Sequence, residues 1–549
     1  MTVASTSRDV GSGSVVGRIE ARLDCEVEVE AVPGLFDPEN TALLRHLRDA
    51  RRLLVVVDAH RAAPLRAYLD QQIWRGRLDG YTEVDSATFD RLSPLAAVER
   101  IAEEAASAGL GRSDAFLSYC GPAVSDYVLI TAALFRRHTR AVRLVAGPPH
   151  NLRPSPRTAL PDAGLAVWHR EVRVVVPDAS PTGGSQRGVI EQSYRVELAP
   201  SIFTSQADPL RAWLPDGAKV LAVVDAFSPD VVAGVRRYFH PHAVVPVVSS
   251  AHTKTLGHAG ELLATARALD LGPEDRIVAV GGGMLLDLVG TMALLYQGQT
   301  PYLRVPTTLV GLIDAGVGLK VGVDVNQRRN LLGGYRPPLA CLCDTTFLRT
   351  LPRAEIRCGL AEAIKIAMVA DGPLLDLLEE HYEDLFERPD GPVAEEIVRR
   401  SIAAMMRELA GNPYEKELRR LPDFGHEFGH LLETASGYAL RHGEAVSIGM
   451  AFAGHLGVQT GRLPSAAYER MVRLLLRVGL PVYSPLCRPE RLWRWLGSDI
   501  SAHKGGRPHL VVPTGVGRGG FIDSMHELNP DLLRRACADL IRRQAEVAP

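Results

Sequence analysis

With 549 residues, 46% hydrophobic and 23% charged, the chain has the make-up of a soluble globular protein too long for one hydrophobic core, so two or three domains are expected. Lys and Arg number 62 against 64 Asp and Glu, a balance that gives no electrostatic ground for binding nucleic acid or an anionic membrane. No apolar run is long enough to span a bilayer, and seven scattered cysteines, of which only Cys341 and Cys343 lie close together, argue for reduced thiols in a cytoplasm.

The leading residues, "MTVASTSRDVGSGSVVG", lack the apolar core of a secretory signal and read as a short disordered leader. Short β-branched runs then end in Asp or Gly: "RLLVVVD" (Arg52 to Asp58), "KVLAVVD" (Lys219 to Asp225) and "RIVAVGGG" (Arg276 to Gly283). With amphipathic stretches between them, they predict βαβ units and a mostly parallel sheet. "DASPTGGSQRG", Asp178 to Gly188, has the composition of a loop or linker. From about Leu351 onward helical periodicity takes over, as in "RCGLAEAIKIAMVADGPLLDLLEEHY".

The chain also repeats itself. "LGRSDAFLSYCGPAVSDYVLITAALFRRHTRAVRLV", Leu110 to Val145, lies without a gap over "LGPEDRIVAVGGGMLLDLVGTMALLYQGQTPYLRVP", Leu271 to Pro306, so that Asp126 meets Asp287. Upstream, "VVVDAH" matches "AVVDAF", pairing Asp58 with Asp225, and "CEVEVEAVPGLFDP" parallels "SYRVELAPSIFTSQ". Register held through strand, turn and helix favours an internal duplication over the general likeness of any two Rossmann-like halves.

In the second copy Gly281, Gly282 and Gly283 follow a strand and open a helix, where backbone N–H groups and the helix N-terminus suit a phosphate. Asp225 ends an earlier strand, where a ribose hydroxyl could be met. The first copy reads "YCGPAVSD": Cys120 adds a side chain, and Pro122 replaces Gly283 and has no N–H to donate. That copy is expected to hold no nucleotide.

"DFGHEFGHLLE" puts His426 and His430 at i, i+4 on one helical face, "RHGEA" adds His442, and "GLAEAIK" places Glu362 and Lys365 at i, i+3. A Glu-His-His set matches a catalytic zinc site with one open position. Any one such residue is more often plain surface polarity, but four within so short a span favour a metal.

The segments "GGGMLLDLVG", "RVPTTLVGLIDAGVGLKVGVD", "RNLLGGYRPP", "CDTTFLRTLPRAE", "GLAEAIK", "DFGHEFGH" and "HGEAVSIGM" occur in an order that resembles the sugar phosphate cyclases, the superfamily of dehydroquinate synthase, from about Ser193 to the C-terminus. The fold implied is an α/β Rossmann-like NAD-binding domain (161–345) followed by an α-helical zinc and substrate domain (346–549), preceded by an additional α/β domain, the degenerate, non-catalytic repeat (1–160). The resemblance makes Glu362, His426 and His442 ligands of zinc, with cobalt as a substitute. It assigns NAD to Asp225, Lys254, Gly281, Gly282, Gly283, Asp287, Thr307, Thr308, Asn330, Thr346 and Thr350. The substrate site falls to Asp314, Lys320, Lys365, Arg419, Asp423, His430 and Lys504. A homodimer is the oligomer expected of the family, and a small sugar phosphate the partner.

Within the superfamily the text is similar to cyclases that convert sedoheptulose 7-phosphate to valiolone-type cyclitols in secondary metabolism, antibiotic biosynthesis included. Met405 stands where dehydroquinate synthase has a lysine and Asp423 where it has asparagine, which suits a substrate without a carboxylate. Three features depart from the valiolone-type pattern: Gln297 and Gly298 replace an arginine pair, one of which is expected to hold the substrate phosphate, His430 is retained, and Ala251 replaces a Glu expected at the nucleotide. Arg304, Arg328 and Arg329 are the neighbouring cations that could compensate. Other readings are a dehydroquinate synthase-like cyclase with another sugar phosphate, a metal-dependent polyol dehydrogenase releasing NADH, and a non-catalytic binding homologue.

Overall fold

The computed structural model describes residues 14–48, 50–145, 155, 157–177, 183–203, 208–326, 328–500 and 507–546. Most of the expected leader lies outside them, although Ser14 to Gly17 already belong to the first strand. The strands are β1 (Ser14–Val32), β2 (Arg52–Val57), β3 (Gly80–Asp85), β4 (Ala115–Tyr119), β5 (Arg140–Leu144), β6 (Arg157–Leu160), β7 (Leu165–Trp168), β8 (Glu171–Pro177) and β9 (Gly183–Leu198). They continue as β10 (Val220–Asp225), β11 (Ala243–Val247), β12 (Arg276–Gly281), β13 (Tyr302–Pro306), β14 (Lys320–Val325), β15 (Arg328–Tyr335), β16 (Ala340–Cys343), β17 (Leu510–Gly515) and β18 (Arg518–Ile522).

Twelve strands form one sheet in the order β11-β10-β12-β13-β16-β9-β1-β8-β5-β4-β2-β3. All neighbours run parallel except the central pair, β1 and β9, which is antiparallel. Reading outward from that pair gives the same order of strands in both directions, so the sheet is two six-stranded halves about an approximate two-fold axis. Helices obey the same relation: Pro122–Leu134 in the first half matches Gly283–Leu295 in the second, end for end in the sequence register. The hairpins β6–β7 and β14–β15 are also counterparts.

The first half extends to β8 and so passes the boundary drawn at residue 160. Gly183 to Gly188, expected in a loop, are the start of β9; they pair with β1 from Gly183 opposite Glu30 to Gly188 opposite Cys25. Local Gly and Ser content favours a turn, but a continuous antiparallel ladder outweighs it.

The halves share one apolar core. Ile101, Val128 and Phe135 of the first pack in one cluster with Leu262, Leu288 and Leu332 of the second. C-terminal to the sheet, the helices Arg353–Ala370, Pro392–Ala410, His426–Ala435 and His442–Gln459 build a second core that reaches back under β1 and β9 through Ile19, Tyr194 and Val196. The hairpin β17–β18 is the exception to the helical reading of this part. Among the described residues no helix is long and apolar enough to cross a membrane.

Candidate active site

Three helix segments bring the Glu-His-His set together. Glu362 sits midway along Arg353–Ala370, while His426 and His442 are each the first residue of their helices. Gly425 enters the second helix with φ 80°, a left-handed value that favours glycine. A side chain at Gly443 would lie 2.2 Å from the Cys358 Cα, so glycine lets the third helix rest directly on the first. These two glycines in "DFGH" and "HGEA" therefore set the positions of the histidines beside them.

The candidate ligand atoms of Glu362, His426 and His442 all lie within 4.8 Å of one another. His442 Nε2 is 2.9 Å and His426 Nε2 3.7 Å from Glu362 Oε1. Glu362 is 1% exposed, yet neither of its oxygens receives a well-directed hydrogen bond. A buried carboxylate facing two imidazole nitrogens without directed donors is the donor set of a divalent-cation site. Burial alone would lower His442, but the Glu433 and Glu362 carboxylates outweigh it and raise its pKa to about 10, so the place attracts positive charge.

Glu433 is a residue that sequence reasoning passed over, although it stands three positions after His430 in the quoted motif. It is 4% exposed and lies 3.1 Å from His430 Nδ1 and 3.3 Å from His442 Nδ1. It also pairs with Arg329. A carboxylate on Nδ1 turns Nε2 of each ring toward the cleft, the usual arrangement behind metal-ligating histidines. Among the described residues His430, Glu433 and His442 form a second group compact enough to hold an ion. Glu433 faces the Nδ1 atoms of its rings, whereas Nε2 of His426 and His442 converge on Glu362 Oε1, which makes the Glu362 set the better cation site.

Lys365, 1% exposed, lies 2.5 Å from Glu362 Oε2 and 3.0 Å from Asp314 Oδ2. Burial opposes the charge on both members, but the lysine holds Asp314 down at about 2 and the carboxylates hold Lys365 above its ordinary range. Both stay ionised at neutral pH. Removing one member of such a buried pair strands the other, at a cost of about 3–5 kcal/mol.

A second wall of the cleft is cationic. Lys320 opens β14 opposite Tyr335 of β15 and contacts Glu415, which forms an ion pair with Arg420 at 3.1 Å. Arg420 also meets Asp423 at 2.8 Å. Burial, then Arg420 and Arg137, push the Lys320 pKa well down against the pull of Asp423 and Asp314. Arg419, the arginine expected here, instead pairs with Asp523 at 3.2 Å and stacks on Phe521, with 54% of its side chain exposed. Its neighbour Arg420 and Glu415 take the inward places; both stand just before "DFGH" in "EKELRRLPDFGH", where spacing could not say which arginine turns in. Lys504 lies outside the described residues.

The glycine turn lies next to this wall. Gly282 caps the helix Gly283–Leu295, and Thr308 covers it so closely that a side chain there would meet the threonine methyl at 3.1 Å. A side chain on Gly283 would reach Ala315, next to Asp314. Thr307 N donates to Gly281 O at 3.0 Å. Asp225 accepts from Phe227 N at 3.2 Å, beside the turn, where a Gly281 side chain would meet its Cβ. Lys254 donates to Asp287 at 2.6 Å and to Asn330 at 2.7 Å. Thr346 and Thr350 lie on the short helical segment after β16, bonded to Asp344 and to Phe347 O. In the first half the counterpart Asp126 is held by Arg143 at 2.8 Å, and Pro122 occupies the first helical position.

Comparison with known proteins places this arrangement. The 3-dehydroquinate synthase N-terminal family model matches residues 244–358, and the C-terminal one residues 359–500. A 2-epi-5-epi-valiolone synthase of Streptomyces glaucescens is 38% identical over 357 residues, 64% of this chain and 92% of that protein. A 3-dehydroquinate synthase of Mycolicibacterium vanbaalenii is 36% identical over 50% of this chain and 75% of its own length. The solved 2-epi-5-epi-valiolone synthase of Streptomyces hygroscopicus subsp. jinggangensis 5008, with NAD+ and Zn2+ bound, superposes with a TM-score of 0.60 at 35% identity, over 64% of this chain and 98% of that one. Over the second half of the sheet and the helices that carry the Glu-His-His set, the chain belongs to the dehydroquinate synthase-like sugar phosphate cyclases.

Proposed function

We propose that the protein is an NAD- and zinc-dependent cyclase that eliminates phosphate from sedoheptulose 7-phosphate and closes the product to a valiolone-type cyclitol. The observation that carries this reading is the Glu362, His426 and His442 set joined through Lys365 and Asp314 to the segment that packs on the glycine turn at Gly283. A hydroxyl-binding metal and a nicotinamide would meet in that space. Met405, 2% exposed and packed in the helical core, offers no cation for a substrate carboxylate, and Asp423 adds an anion. Both favour a substrate without an acid group over the dehydroquinate synthase substrate.

Glu362, His426 and His442 would hold the zinc, and the open helix terminus at Gly282 and Gly283 would take the NAD pyrophosphate. When bound, zinc acidifies a substrate hydroxyl while NAD accepts and later returns a hydride, so the overall reaction is redox-neutral. The chain's own residues do the rest. Lys365, itself held ionised by Asp314, keeps Glu362 charged and in place against burial and the like charge of Asp314. Arg420 supplies positive charge for phosphate and for enolate oxygen, and Lys320, its pKa lowered by burial and by neighbouring arginines, would be protonated beside a bound anion. His430 has 52% of its side chain open to the cleft, and burial of the remainder pushes its pKa down, so the ring is neutral near pH 7. With Nδ1 on Glu433, its Nε2 is free to take and return a proton. Lys504 and Arg419 keep their expected substrate roles here, Arg419 by turning inward from Asp523.

Purified protein given sedoheptulose 7-phosphate and, separately, the heptulosonate 7-phosphate used by dehydroquinate synthases tests the substrate. Cyclitol should form from the first, with no carbocycle from the second; the reverse preference contradicts the proposal.

A further inference from the structure

The turn that follows helix Pro122–Leu134 in the first half reaches into the cleft of the second. Phe135 forms an antiparallel bridge with Leu332, and Arg136 N donates to Leu331 O at 2.9 Å. The two-fold counterpart does the same in reverse: Tyr296 bridges Leu165, and Gln297 N donates to Gly164 O at 2.9 Å. Each half thus lays one turn on the other half's hairpin. In the register of the repeat, Arg136 and Arg137 stand over Gln297 and Gly298, the positions at which an arginine pair is missing.

The two arginines differ in what they do. Arg136 donates from Nε to Leu110 O at 3.1 Å and fixes the turn. Arg137 Nε is buried with no hydrogen-bond partner, and its charge is felt by Tyr335, Asp287, Arg112, Arg420 and Lys320. Those residues span the space between the cationic wall and the glycine turn. A neighbouring first-half arginine, Arg112, donates to Tyr335 Oη at 3.1 Å, and Tyr335 donates to Glu415 at 3.3 Å. The cations expected to compensate are otherwise engaged. Arg304 is fully buried and donates to the carbonyls of Ala315 and Gly316 at 3.2 Å; Arg328 donates to Ala106 O at 2.7 Å; Arg329 pairs with Glu433.

We propose that Arg137, lent by the N-terminal half, is the phosphate-binding arginine of the active site in the C-terminal half, so that the degenerate copy completes the site in cis. The asymmetry of the pair follows. The turn at Gln297 and Gly298 faces the first half, where Pro122 closes the nucleotide turn and Arg143 occupies Asp126, so no substrate there requires an arginine. The turn that faces a working cleft kept its guanidinium, whose planar fork matches phosphate.

The proposal rests on the cyclase reading for the identity of the sugar but not for the anion, and the test separates the two. Calorimetric titration of NAD- and zinc-loaded wild type, Arg137→Ala and Arg137→Lys with inorganic phosphate should show affinity lowered on the order of 10- to 100-fold in the alanine variant. The lysine variant should recover part of it. KM for sedoheptulose 7-phosphate should rise by a similar factor, with zinc and NAD content unchanged. Equal phosphate affinity in wild type and Arg137→Ala overturns the proposal, as does a wild type that binds no phosphate. If the alanine variant fails to retain zinc and NAD, Arg137→Gln carries the same comparison, and unchanged phosphate affinity in it overturns the proposal equally. Phosphate binding that depends on Arg137 in a protein that does not turn over sedoheptulose 7-phosphate upholds the arginine and removes the sugar.

Discussion

Glu433 holds two of the three site histidines by Nδ1 and is itself held by Arg329. Carboxylates in that position fix ring orientation and raise ligand basicity, and their loss commonly costs about 10–100-fold in metal affinity. Glu433→Gln should therefore weaken zinc by a factor in that range while leaving NAD bound, measured by competition with a chelator; unchanged zinc affinity would remove Glu433 from the site's support. At this scale the sequence was legible where local spacing carries the geometry: His426 and His430 share a helical face because they are four residues apart, and Glu362 and Lys365 because they are three apart. It was not legible where a side chain's direction depends on packing. Arg419 and Arg420 are adjacent and chemically identical, and only the contacts of Asp523 and Phe521 on one side and Glu415 and Asp423 on the other separate them.

Strand–turn–helix units were readable because each is announced by its own residues. "RIVAVGGG" is β12 followed by a capped helix, and its copy "AFLSYCGP" is β4 followed by a helix with Pro122 in its first turn. The glycine turn makes a direct prediction. Gly282→Val adds a side chain that meets the Thr308 methyl and crowds the helix terminus where a pyrophosphate would sit. Protein purified with this change should carry little NAD yet full zinc, assayed by nucleotide release on denaturation and by metal analysis; retained NAD would place the cofactor elsewhere. Strand β9 was misread because its opening "GGSQRG" has no strand propensity of its own and is ordered by β1 across the two-fold axis. Likewise β17 and β18 form a hairpin inside a region whose pattern is otherwise helical.

At the scale of the molecule, the repeat seen in the sequence becomes a single twelve-stranded sheet with a shared core. Local signals could place two similar halves side by side in the chain, but not the antiparallel join of β1 to β9, since that contact is made between segments far apart. That join determines what the first half can do, because it aims the Arg137 turn at the other half's cleft. Among the described residues the two halves and the helices hold a Glu-His-His set, an open glycine turn and a cationic wall. The proposed cyclase reaction requires that a hydride leave and return within one turnover. Zinc- and NAD-loaded protein with sedoheptulose 7-phosphate and no added oxidant should release inorganic phosphate over many turnovers while absorbance at the NADH wavelength stays flat after the first. NADH accumulating in step with substrate consumed, or activity that stops without fresh NAD, would contradict the account.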